Sequence, residues 1–195
     1  MIATRQPADF TPKDYFDWES KQPVRYEYFD GQVFAMAGGT LQHADIALNV
    51  ALLLRRSLGD RCKVRNSDAK VGITADGPFV YPDVSVTCDQ QDFSAQQFSQ
   101  HPCVIVEVLS ASTEAYDRGG KFALYRRLES LQAYILISSE EQLVEVFRQD
   151  EKGQWIFTVY GENDCVDLTT LNVTLPLAAI YENVAMEQPA RFPEG

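Results

Sequence analysis

The sequence predicts a single α+β (α/β-like) domain built around one mixed β-sheet. Three observations carry this. One strongly periodic helical pattern follows Thr40, apolar or alternating runs recur between residues 63 and 160, and a second helical pattern divides those runs near residues 120 to 129. The 195 residues are 45% hydrophobic and 23% charged. At that length one core buries roughly 70% of the surface of the unfolded chain, so neither a disulfide nor a structural metal is required.

Residues 1–10 and 186–195 read as tails around a domain over 11–185. Thr11-Pro12, followed by Lys13-Asp14-Tyr15-Phe16-Asp17-Trp18-Glu19, has an N-cap, a first-turn proline and early acids, and predicts a short helix. Val24 to Ala37 predicts a hairpin turning at Asp30-Gly31. Thr40 then caps a long helix whose apolar positions Ala44, Ala47, Leu48, Ala51, Leu54 and Leu58 keep a 3.6-residue period until Gly59. Lys63 to Ile73, Val80 to Thr87 and Cys103 to Leu109 read as strands. Gly120 to Glu129 reads as a helix that buries Phe122, Leu124, Tyr125 and Leu128; Tyr134 to Ile137, Leu143 to Phe147 and Trp155 to Tyr160 read as a meander.

Composition excludes several functions. With 17 Lys+Arg against 28 Asp+Glu, a net charge of −11, the chain is no histone-like binder of bulk nucleic acid, so any such contact is local or metal-assisted. Four cysteines without a CxxC pair and two histidines exclude a zinc ribbon or finger. The start MIATRQPADF lacks a signal-length apolar run, and the longest such run, Val50 to Leu54, is far below the ~20 residues of a membrane span. The expectation is a cytoplasmic protein with reduced thiols and no membrane partner.

Glu107 is the most informative residue. It stands inside the continuous apolar run Val104-Ile105-Val106-Glu107-Val108-Leu109, where a buried carboxylate needs compensation; a salt bridge or an outward-facing edge position is the plain alternative to a functional one. Asp83, in Tyr81-Pro82-Asp83-Val84, begins another strand; alone it reads as a turn residue, but two acids on neighbouring strands can converge on a divalent cation. Mg²⁺ needs one or two carboxylates and no histidine cage, which suits this chain. Lys121, in Asp117-Arg118-Gly119-Gly120-Lys121-Phe122, is read at a helix start, unfavourable against the macrodipole unless it serves a site; a solvated lysine is the alternative. Glu27 lies between Tyr26 and Tyr28 ahead of the hairpin turn, where an exposed strand position opposite a cation is also open. The helix dipole at His43 disfavours its protonated form and suits a neutral, hydrogen-bonding imidazole.

Taken in order, Tyr26-Glu27-Tyr28-Phe29-Asp30-Gly31, His43, Tyr81-Pro82-Asp83-Val84, Val106-Glu107-Val108-Leu109-Ser110 with Thr113, Asp117, Lys121, Tyr125 and Ala133-Tyr134-Ile135-Leu136 resemble the Uma family of "putative restriction endonucleases". The likeness runs from about Thr11 to about Tyr181. It implies a branch of the PD-(D/E)xK nucleases, hence a restriction-endonuclease-like fold in which a mixed central β-sheet is flanked by helices. By that likeness Asp83 and Glu107 bind Mg²⁺ (or Mn²⁺), and Glu27 is the acid ahead of the core strands. Where the superfamily carries lysine two residues after the strand acid, this chain has Leu109, and Lys121 takes that role from the following helix. His43 and Asp117 are expected to support these groups. Apart from the likeness, the basic clusters holding Arg55, Arg56 and Arg118 are candidates for contact with DNA backbone, the alternative being that arginines in a last helical turn complement its dipole.

The expected function is metal-dependent hydrolysis of DNA phosphodiesters, simplest as a homodimer if both strands are cut. The alternative is a catalytically inactive nuclease-fold module that binds protein or nucleic acid. A glycosidase using Glu107 and Asp83 as its carboxylate pair is a remoter reading.

Overall fold

The computed structural model describes residues 10–36, 38–111 and 113–186, so most of the two expected tails lies outside the described residues. Helix α1 spans Pro12–Glu19 and carries a full capping box, in which Thr11 and Asp14 exchange side-chain-to-backbone hydrogen bonds. A hairpin follows, β1 (Tyr26–Phe29) and β2 (Gln32–Ala35), then α2 (Leu41–Leu58). Strands β3 (Lys63–Asn66), β4 (Lys70–Gly72), β5 (Phe79–Val80) and β6 (Val84–Thr87) lead to the short α3 (Gln90–Phe93) and β7 (Phe98–Ser99). The eight-residue β8 (Pro102–Leu109) precedes a continuous helical stretch made of α4 (Glu114–Tyr116), a π-turn (Asp117–Lys121) and α5 (Phe122–Tyr125). The chain ends with β9 (Ala133–Ser138), β10 (Val144–Gln149), β11 (Trp155–Tyr160), β12 (Cys165–Leu168), β13 (Val173–Pro176) and α6 (Leu177–Ile180).

These form one mixed α+β domain, but not around the one sheet expected. The main sheet has the order β11-β10-β9-β8-β6-β3, with β8 and β9 parallel and every other pair antiparallel. A second sheet, β2-β1-β5-β4-β7, is antiparallel except for β4 with β7, and β12 and β13 form a separate hairpin. All eight residues of β8 are buried because both faces of the main sheet are covered. Side chains alternate across a strand, so Val104, Val106 and Val108 join a core with Val50 and Leu54 of α2, while Ile105 and Leu109 join another with Tyr125 and Tyr134. Glu107 shares the parity of Ile105 and Leu109. A third, aromatic core of Tyr15, Tyr28 and Phe79 ties α1 to the second sheet.

Several local expectations are corrected. The Lys63–Ile73 run is two strands, β3 and β4, which belong to different sheets after a turn at Ser67-Asp68. The Val80–Thr87 run likewise breaks at Tyr81-Pro82-Asp83: Pro82 has no N–H for a ladder, and the Tyr81 N–H goes to a Glu27 carboxylate oxygen, 3.2 Å away. On α2 the buried stripe is Ile46, Val50, Leu54 and Leu58, which turns Leu48 outward at 58% exposure. The helix read over Gly120–Glu129 begins at Glu114 and ends at Tyr125.

The cysteines are not all reduced. Cys62 and Cys88 form a disulfide, because the pairing Lys63↔Thr87 sets them opposite each other one step further out, Cα to Cα 4.2 Å. Cys103 and Cys165 are free. Among the described residues no helix is long and apolar enough to cross a membrane.

Candidate functional site

Register brings the two strand acids together. β6 and β8 pair Val84 with Val106, so one step beyond the ladder Asp83 lies opposite Glu107. Asp83 is held from both sides: its Oδ2 accepts the Val108 N–H at 2.7 Å, and its Oδ1 is 3.0 Å from His43 Nε2. His43 is available there because Thr40 caps α2 through the His43 N–H, fixing the first turn of the helix.

The acid on β8 is met from the other direction. Asp117, Lys121 and Tyr125 follow at four-residue spacing along the helical stretch, through a π-turn of the kind that often marks functional sites. Lys121 Nζ lies 3.0 Å from Glu107 Oε1 and 3.3 Å from Asp117 Oδ1. The Tyr125 hydroxyl donates to the same Glu107 Oε1 at 2.8 Å. Glu27, 3% exposed on β1, is the fourth carboxylate. A single cavity of about 130 Å³ is lined by Glu27, His43, Asp83, Glu107, Asp117 and Lys121, with the Tyr116 ring beside them.

Thus six expected residues, drawn from five separated segments of the chain, share one cavity. The lysine reaches it for a reason other than the one expected: Lys121 sits inside a continuous helical stretch rather than at a helix start. Glu27 is buried, not an exposed strand residue. The arginines are elsewhere. Arg55 and Arg56 stand exposed in the last turn of α2, outside the cavity. Arg118 already bonds Glu114 and, at 2.8 Å, Glu145, so its charge is matched within the chain.

Charge in the cavity is unbalanced, four carboxylates facing one ammonium and one imidazole. Burial pushes the Glu107 carboxyl up to about 8, aided by Asp83 and Asp117 and opposed by Lys121 and the Tyr125 hydroxyl. Glu27 is raised as well, by burial first, against Lys121 and the Tyr81 N–H. For Lys121 burial works to lower the pKa, but Glu107, Glu27, Asp117 and Asp83 together outweigh it and raise it. His43 is also raised, chiefly by its bond to Asp83, which overcomes burial. This reverses the expectation from the helix dipole, because a carboxylate at hydrogen-bond distance outweighs partial charges a turn away.

Hard oxygen donors in excess over cations are what Mg²⁺ and Mn²⁺ accept. Asp117 Oδ1 is buried in the same cavity and, beyond the ion pair with Lys121 at 3.3 Å, accepts no hydrogen bond, so it keeps acceptor capacity there. Among the described residues no three donors are already spaced as a cage. The donor set therefore fits an ion that takes one or two protein carboxylates and completes its shell with water and phosphate.

Two groups escaped sequence reasoning. Tyr125 was assigned to the buried side of a helix, yet its hydroxyl is a ligand of Glu107; the available signal was a tyrosine at a fully buried position, whose O–H needs a partner. Tyr81 bridges two acids, through its N–H to Glu27 and its hydroxyl to Glu19 at 2.7 Å, and Glu19 in turn pairs with Lys70 at 2.8 Å.

Comparison with known proteins adds the following. The profile of the Uma2 family, described as "Putative restriction endonuclease", matches residues 12–179. The chain is 40% identical over 189 residues to the "Uncharacterized protein slr1290" of Synechocystis sp., covering 95% of this chain and 100% of the relative. To the "Uncharacterized protein sll1609" of the same organism it is 29% identical over 177 residues, covering 89% and 100%. The fold matches the crystal structure of "a putative nuclease belonging to DUF820" from Anabaena variabilis with a TM-score of 0.72 at 16% identity, covering 88% of this chain and 97% of that one.

Proposed function

The chain belongs to the Uma2 family of "putative restriction endonucleases", and from that premise we propose that it is a Mg²⁺- or Mn²⁺-dependent endodeoxyribonuclease of the PD-(D/E)xK type. The observation that carries this reading is the convergence of Asp83, Glu107 and Lys121 in one cavity, with Lys121 Nζ 3.0 Å from Glu107.

In this reading Asp83 and Glu107 hold the metal. A bound divalent ion supplies an acidified water and neutralises charge on the phosphoryl oxygens. The protein's own groups do the rest. His43 and the Val108 N–H fix both oxygens of Asp83, so that carboxylate costs little to organise. Tyr125 fixes Oε1 of Glu107. Lys121, held by Glu107 and Asp117 and kept protonated by the surrounding acids, presents its ammonium to the phosphate and stabilises the charge that grows there. Glu27 supports Lys121 electrostatically from β1.

Chromosomal or invading DNA would be met in the cytoplasm, where the Cys62–Cys88 disulfide would be an uncommon feature, and a symmetric pair of chains would supply the two sites a double-strand cut needs. The second reading, an inactive nuclease-fold module, draws on one observation: Lys121 already satisfies Glu107 and Asp117 within the chain. Cleavage of supercoiled plasmid and of circular single-stranded DNA with Mn²⁺ separates the two. Wild type should cut, and Glu107→Gln and Asp83→Asn should each cut at least about a thousandfold more slowly while unfolding like wild type. Equal cleavage by both variants would refute the site; no cleavage by wild type would favour the module.

A further inference from the structure

The catalytic cavity does not end at Asp83. A hollow of about 400 Å³ opens beside it and shares five of its residues, among them Gly39, His43 and Asp83. Its floor is the small-residue side of α2, Ala44, Ala47 and Ala51, and its far rim is Asn66 and Ser67 at the end of β3. A second hollow, of about 420 Å³, begins at the shared Ala51 and Asn66 and reaches Arg55. Together they form a furrow between α2 and β3 that starts at the carboxylates and finishes at a cation.

The walls of this furrow explain side chains that the fold does not use. Leu48 and Leu52 stand along it with 58% and 43% of their surface exposed, although neighbouring apolar positions of α2 are buried. Arg55 has no carboxylate partner among the described residues, whereas Arg25, also on the rim, is neutralised by Asp68. On a surface of net charge −11, an unmatched cation at the end of a channel from an acidic site offers charge complementarity to a polyanion.

We propose that this furrow holds a single strand of the nucleic-acid substrate flanking the scissile phosphate, with its sugars and bases on Leu48 and Leu52 and its backbone at Arg55. The proposal rests on the nuclease reading of the neighbouring cavity. From His43 to Arg55 the helix rises about 18 Å, which spans about five phosphates of a stacked strand at about 3.4 Å each. A furrow with a cation for the backbone and an apolar wall for the bases takes an unpaired strand, Leu48 and Leu52 standing where such sites more often carry aromatic rings. A duplex is convex, and its major groove, about 12 Å wide, would instead receive a protruding helix. The inferred substrate class is therefore DNA with an unpaired stretch on one side of the cut.

The test measures binding of a fluorescent single-stranded oligodeoxynucleotide, and of the matching duplex, by anisotropy in chelator, for wild type, Leu48→Glu and Arg55→Ala. Both substituted side chains are exposed, so folding is preserved. Each variant should bind the single strand about tenfold more weakly, and Arg55→Ala should lower the salt slope by about 0.7. The duplex should bind more weakly than the strand. Wild-type affinity in both variants, or preference for the duplex, would overturn the furrow. If wild type cuts plasmid while the variants bind normally, only the furrow fails; if wild type neither binds nor cuts any DNA, the nuclease reading fails with it.

Discussion

Asp92 and Glu107 are both acids with 2% of their surface exposed, yet the protein treats them in opposite ways. Asp92 lies in α3, beyond the end of β6 away from Asp83. Its oxygens accept the N–H groups of Gln100 and His101, each at 2.9 Å, and His101 Nδ1 stands 3.3 Å away. Burial works to raise its pKa, but those bonds prevail and hold the carboxyl below its ordinary value. Glu107 receives one hydroxyl and one ammonium, both at the same oxygen, with Asp83 and Asp117 close by, and is pushed up to about 8. One buried acid is finished by its own chain. The other is left short of positive charge, which under the proposed function leaves room for a cation.

The sharpest way to break this comparison is to neutralise each acid in turn. Asp92→Asn should destabilise the fold by about 3 kcal/mol in urea unfolding, because an amide cannot accept all of the N–H groups now aimed at the carboxylate. Glu107→Gln removes a carboxylate from a cluster of four, so it should leave stability at pH 8 unchanged or raise it by about 1 kcal/mol. Equal losses in the two variants would mean that Glu107 is as structural as Asp92.

A smaller effect follows from pH. The folded Glu107 carboxyl titrates near 8 against an ordinary value of 4.5, so between those values the folded chain binds more protons than the unfolded one. Stability contributed by this group therefore falls as pH rises through that window, by at most about 1.4 kcal/mol per pH unit. Asp92, lowered from 3.8, acts the other way: its contribution is present above that value and is lost on acidification below it. Urea titrations of wild type and Glu107→Gln from pH 5 to 8 should diverge, the wild type losing stability relative to the variant as pH rises; parallel curves would contradict the raised Glu107 carboxyl.

How much of this was legible in the sequence depends on range. Glu107 stood out because a carboxylate in a strand buried on both faces violates a local rule, and Asp83 became legible as its partner because neighbouring strands place it opposite. Lys121, Glu27 and His43 were also legible locally; the resemblance added Asp117 and gave Lys121 and Glu27 their roles. Lys121 was identified with a mistaken helix boundary, since a π-turn leaves no mark in apolar periodicity. The break at Pro82 was missed because the N–H of Tyr81 finds its acceptor on β1, 54 residues away in the chain. Likewise the Cys62–Cys88 bond depends on the register of β3 against β6, which spacing alone does not encode. On α2 the expected Leu54 and Leu58 are buried and Ala47 and Ala51 pack against the same core, but Leu48 faces out: apolar residues lie all around the helix, and the sheet, not the pattern, selects Ile46 and Val50 over Leu48.

The central claim is that Glu107 and Asp83 form a cation site that the chain leaves unfinished. Calorimetric titration of Mn²⁺ into metal-stripped protein, with and without an oligodeoxynucleotide to supply phosphate, tests it most directly. The account predicts saturable binding by wild type in at least the second condition, and its loss in Glu107→Gln. Absence of binding in both conditions, or undiminished binding by Glu107→Gln, would contradict it.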